Sequence, residues 1–188
     1  QVAGLSAAQF AGLGTDDLAA MSSTQIAVLG TAQAAALSGQ QLAAIETADI
    51  AALSTAALRA LGADQVAAFT SGQFAALSSA QAVALTADQI AGLGTANLNA
   101  LGTSQFAALS SAQVAAISAA QAAKLENADV AALSTAAVKG LSQEAIAALT
   151  TGQVVAMTSA QVGALSSGQM SAMTNADLAK LESADIKA

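Results

Sequence analysis

Hydroxyl groups recur about every eight residues along this chain, and carboxylates occur in pairs three residues apart. These are the residue types that could do covalent or acid–base chemistry. A nucleophilic Ser or Thr needs a base beside it, and the chain holds no His and no Cys. The serines also stand where helix caps are expected, which is reason enough for their presence. The carboxylate pairs Glu46/Asp49, Glu126/Asp129 and Glu182/Asp185 could exchange protons or bind calcium. Calcium takes about six to eight oxygen ligands, and no D-x-D-x-D-G loop supplies them. Asp16 and Asp17 offer no more. The pair spacing fits better a Glu at a helix cap and an Asp at the third helical position, where negative charge suits the helix dipole. Arg59, Lys124, Lys139, Lys180 and Lys187 are scattered, and neither G-x-G-x-x-G nor G-x-x-x-x-G-K is present. Phe10, Phe69, Phe74 and Phe106 occupy core-type positions. No catalytic, cofactor-binding or metal-binding residue is expected, and the chain is not expected to be an enzyme.

What places these residues is an eight-residue repeat. The chain reads QVAGLSAA, QFAGLGTD, DLAAMSST and onward without insertion or deletion, about 23.5 octads over residues 1–188. The consensus is Q-V-A-A-L-S-T-A. The fifth position is apolar in every complete octad, from Leu5 to Leu181. The second is large and apolar except at Ala34, Ala82 and Ala122. The fourth is Ala or Gly except at Val28, Lys124 and Lys180. The sixth is Ser, Thr or Gly except at Glu46, Glu126 and Glu182, and the first is mostly Gln, sometimes Asp. A longer period overlies this one: residues 45–56 (IETADIAALSTA) return at 125–136 (LENADVAALSTA), ten octads on. Duplication of blocks accounts for that match.

One continuous helix fails on geometry. Eight residues at about 100° each make about 800°, so the apolar pair would drift about 80° per octad. A β-solenoid is the alternative, but positions two and five would face opposite sides of a strand. The remaining solution starts a new helix in each octad. Ser or Thr at position six, with Gln or Asp three residues later, is a capping-box pattern; Ser78–Gln81 and Ser110–Gln113 show it. Gly14, Gly30, Gly62, Gly94 and Gly102 at the same position suit a sharp turn. Each helix then has roughly six residues, with positions two and five on one face. Helices so short need packing to survive in water. The expected fold is all-α: a thin solenoid of short capped helices, three or four to a turn, with positions two and five inside. Small residues at positions four and eight are expected to let successive turns approach. In this reading Gln contributes only a cap, worth about 0.5–2 kcal/mol.

Composition narrows the partners. Of 188 residues 55% are hydrophobic, mostly alanine, and the net charge is −7. An acidic chain does not offer the clustered cations that nucleic acid requires. No apolar run reaches the roughly 18 residues of a membrane span, so no membrane insertion is expected. Gln1 is not an initiator Met and no signal peptide opens the chain, so it reads as an excerpt of a longer array. The phrases Leu77-Ser78-Ser79-Ala80-Gln81 and Leu109-Ser110-Ser111-Ala112-Gln113-Val114 resemble the short-period Ala-, Thr- and Gln-rich arrays of large secreted bacterial surface proteins and adhesins. That resemblance implies an exported stalk or spacer, extracellular or at the cell surface. Self-association is the other expectation, with rows of position-seven hydroxyls (Thr15, Ser23, Thr31, Thr47, Thr55) contacting a glycan, ice or a neighbouring rod.

Overall fold

The computed structural model describes residues 2–181. Among the described residues it contains one 3₁₀ turn, Val2–Gly4, and 22 α-helices of four to six residues, from Ala7–Ala11 to Asn175–Leu178, and no strand. Every helix follows an N-cap at position six, from Ser6 through Thr174, so the octad register runs through all of them. The fold is the expected all-α solenoid.

Local chemistry sets each helix. The cap residue is extended (Ser78, φ −71°, ψ 160°), its hydroxyl accepts from the Gln81 amide at 3.2 Å, and Gln81 Oε1 accepts from the Ser78 amide at 2.9 Å. Both arms of the capping box are therefore present. A glycine cap keeps the second arm alone: the Gly30 amide donates to Gln33 Oε1 at 2.8 Å. In many octads the position-five residue is extended as well, as at Leu77 (φ −62°, ψ 138°). Two consecutive extended residues then make each corner. No described residue has a positive φ, so glycine at the cap is not required by backbone conformation. That corrects the expectation that these glycines serve a sharp turn.

The chain divides into two compact units, residues 1–101 and 102–188. In the first, Ala7–Ala11 packs on Thr31–Ala36, which packs on Thr55–Ala60, which packs on Ser79–Ala84. In the second, Thr103–Ala108, Asn127–Ala132, Thr151–Ala156 and Asn175–Leu178 stack in the same way. Each helix thus meets the one three octads later, and a turn of either coil has three sides. Positions two and five fill the interior as expected. Phe10, Phe74, Phe106, Ile90 and Val130 have no exposed surface, and Leu37, Leu53, Leu109 and Leu133 are 2–3% exposed. Phe69 and Phe74 meet at a ring-centroid distance of 5.8 Å.

The contact between turns differs from the expected one. Position eight is exposed almost throughout. Position four instead approaches position seven of the preceding turn: a Cβ on Gly39 would lie 2.6 Å from Ala68 Cβ, and one on Gly92 would lie 3.3 Å from Ala63 Cβ. The closest case is Gly140, where a Cβ would lie 2.1 Å from the Ser111 carbonyl oxygen. That neighbour is backbone and cannot rotate away. Gly140→Ala is therefore expected to destabilise the second unit by about 1–3 kcal/mol, the usual range for overpacking. Chemical denaturation of the variant measures it, and an unchanged midpoint would refute the close approach.

Candidate functional site

The chemistry that recurs along both units belongs to the first-position Gln. It sits at the third residue of each helix and is expected from sequence only as a cap. Gln73 is 1% exposed. Its Oε1 accepts from the Thr70 amide at 2.9 Å, and its own amide donates to Thr70 Oγ1 at 3.2 Å. Its Nε2 donates to the carbonyls of Leu42 at 2.9 Å and Ile45 at 2.8 Å, one turn earlier. The Ile45 carbonyl lies at a corner, past the end of its helix, where no intrahelical donor reaches. One side chain thus caps its own helix and closes the helix end beneath it.

This arrangement repeats. Gln33 reaches the Leu5 carbonyl at 2.7 Å, Gln41 reaches Leu13 at 2.8 Å, Gln81 reaches Leu53 at 2.8 Å and Gln89 reaches Leu61 at 2.8 Å. In the second unit Gln153 reaches Leu125 at 2.7 Å, Gln161 reaches Leu133 at 2.7 Å and Gln169 reaches Leu141 at 2.8 Å. The offset is always 28 residues: one three-octad turn plus the four residues from Gln back to the preceding corner. Burial of an amide is tolerable only if its donors and acceptor are all satisfied, and a Gln in this place meets that condition.

Where Asp or Asn replaces Gln, the link changes. Asn97 is long enough to donate to the Phe69 carbonyl at 3.0 Å, and Ser71 Oγ donates to its Oδ1 at 3.1 Å. Asp has no N–H to give. Instead Ser23 Oγ donates to Asp49 Oδ1, and Thr151 Oγ1 donates to Asp177 Oδ1 at 2.8 Å. Position-seven hydroxyls at Ser23, Ser71 and Thr151 are thereby used between turns of the coil rather than offered to a partner.

The acidic pairs do not act as the spacing suggests. Glu46 and Glu126 do stand at N-caps, with Asp49 and Asp129 at the third helical position. Neither Glu side chain accepts a capping hydrogen bond, and neither Asp completes a capping box. Both Asp residues are buried, at 8% and 3% exposure. Asp177, behind a Thr cap, does complete a capping box, whereas Asp49 and Asp129 both stand behind Glu caps. Glu182/Asp185 and Lys187 lie outside the described residues. Asp17 does form half a box, accepting from the Gly14 amide at 2.9 Å. Among the described residues no three acidic side chains come together, and no helix is long and apolar enough to cross a membrane. Arg59 and Lys139 are exposed. A hollow of about 240 Å³ in the first unit is lined by Val2, Leu5, Phe10, Leu13, Asp17 and Met21. All but Asp17 are the second- and fifth-position side chains that form the core elsewhere.

Asp129 and Asp177 differ in their electrostatics. Burial, and then the Glu126 carboxylate, push Asp129 up to about 6. At Asp177 burial acts upward too, but hydrogen bonds from the Thr174 and Thr151 hydroxyls and the Thr174 amide outweigh it and hold the carboxyl below its ordinary value. A carboxyl raised in the folded state favours folding at low pH. The contribution of Asp129 is therefore fully present below about pH 4 and is lost as the pH rises through about 6. Asp129→Asn is expected to remove this slope and raise stability at neutral pH. Urea midpoints at pH 4 and pH 7 decide it, and an equal slope in both proteins would contradict it.

Together the three-sided coil and its Gln links define an α-solenoid repeat protein. The ALTTAQ repeat family matches residues 10–44, 42–79, 90–119 and 122–159, more than half of the chain, and the chain belongs to that family. No curated protein and no solved structure matches it.

Proposed function

We propose that the chain is a non-catalytic, semi-rigid spacer within a larger extracellular bacterial protein. The observation that carries this reading is the use of the repeat's polar groups inside the coil. The Gln amide and several position-seven hydroxyls join one turn to the next, and the cap hydroxyl is used within its own helix. Repeat proteins bound in this neighbour-to-neighbour way have stability and length that grow with repeat number. Absence of cysteine and a net charge of −7 are compatible with export and with a surface that does not self-associate.

The test is length. Inserting one or two further turns of three octads after Ala48 should increase the maximum dimension in small-angle scattering by about 8–10 Å per turn, the spacing of packed helices. Sedimentation over a range of concentrations separates the spacer from the self-assembling alternative. A monomer whose length does not respond to added turns would refute the spacer, and growth with concentration would favour assembly.

A further inference from the structure

The Gln row has one complete gap. Helices Asn127–Ala132, Thr135–Val138 and Gln143–Ala148 make one turn of the second unit and carry Asp129, Ala137 and Ala145 at the linking position. None of the three has an amide to donate. In the register by which Gln161 meets Leu133, residues 137 and 145 fall opposite the carbonyls of Leu109 and Ile117. Those two residues are 2% and 1% exposed, and nothing among the described residues donates to either carbonyl. The following turn is fully linked, through Gln153, Gln161 and Gln169. Apolar burial does not favour the linked turn: Val130, Val138 and Ile146 are 0–1% exposed in the unlinked turn, whereas in the linked one Val154 and Val162 are equally buried but Met170 is only half-buried. What the linked turn has in addition is hydrogen bonding.

The first unit supplies an internal control. The counterpart turn, ten octads earlier, carries Asp49, Ala57 and Gln65. It retains one link, since Gln65 Nε2 donates to the carbonyls of Ala35 and Leu37. The second unit has lost that link by carrying Ala145 where the first has Gln65.

We propose that the junction beneath Asp129, Ala137 and Ala145 is a built-in yield point, the place where the second unit opens first under denaturant or load. Separation there breaks apolar contacts and, of the Gln links, only the one from Gln153 to Ala122 and Leu125 at its upper end. Helices of four to six residues do not survive alone, so a turn that loses its neighbour also loses its backbone hydrogen bonds, and local opening becomes readable by amide exchange.

The experiment is hydrogen exchange on the full chain, resolved by peptide, at increasing urea. Peptides from 135–149 are expected to exchange at lower urea than peptides from 55–69, their counterparts in the first unit. Ala145→Gln restores the arrangement seen at Gln65 and should slow exchange at 135–149 by roughly three- to tenfold, the effect of about one net hydrogen bond. Gln65→Ala removes the last link of the control turn and should bring 55–69 to the rate of 135–149. Equal wild-type rates in the two segments would overturn the proposal. So would an Ala145→Gln chain that folds but exchanges at the old rate, or one that fails to fold while Gln65→Ala leaves 55–69 unchanged.

Discussion

Deleting Gln73–Ala76 is expected to abolish cooperative folding of the first unit, while deleting the 24 residues Asp49–Gly72 leaves it folded. A whole turn is three octads, so the longer deletion joins Ala48 directly to Gln73 and keeps every later residue on its own side of the coil. Deleting the octad Gln73–Ala80 is intermediate. Gln81 then takes the place of Gln73 behind the Thr70 cap and can reach the same carbonyls, but later side chains in the unit move one side round and their core partners change. The four-residue deletion has no such solution. It removes Phe74, whose burial alone is worth about 3–5 kcal/mol, together with Gln73 and its links, and it leaves too few residues to span a side. The combined loss is of the order of a typical domain stability, about 5–15 kcal/mol. Thermal unfolding followed by helical circular dichroism ranks the three. Equal tolerance of the four- and eight-residue deletions would show that the octad is a sequence pattern and not a physical unit.

Gln73→Ala is expected to cost about 2–5 kcal/mol, as much as Leu77→Ala. The sequence alone ranks the two differently, with Leu well ahead, because a cap is worth about 0.5–2 kcal/mol and a buried Leu about 2–5 kcal/mol. The structure changes the ranking. Truncating Gln73 strips the Thr70 amide of its acceptor and the Ile45 carbonyl of its donor at a site 1% exposed. Each buried group left without a partner costs about 1–3 kcal/mol. Gln73→Glu sharpens the test. It keeps the acceptor oxygen but points a second oxygen at two carbonyls, so its folded-state pKa is raised and its stability falls as the pH rises. Urea titrations of the three variants decide the matter. A Gln73→Ala loss below about 1 kcal/mol would reduce Gln to a cap.

Much of this fold is local, and local features are legible. The cap at position six, the Gln three residues on and the apolar pair at two and five all act within a helix or its adjoining corner. Ser78, Gln81, Phe74 and Leu77 could therefore be placed from their spacing alone. The acidic pairs were legible in position but not in role, since Asp49 takes its hydrogen bond from Ser23, 26 residues away.

The sequence by itself determined the helix in each octad, its cap and its buried face, because hydrogen bonds three or four residues apart settle them. Only the tertiary structure decided that three helices close a turn, that position four meets position seven, and that Gln73 reaches Leu42 and Ile45. The physical reason is the repeat itself. When every octad is alike, nothing in the pattern says which distant octad a residue will meet. That choice is made by the angle of each corner and by how many side chains fill the space the corners enclose.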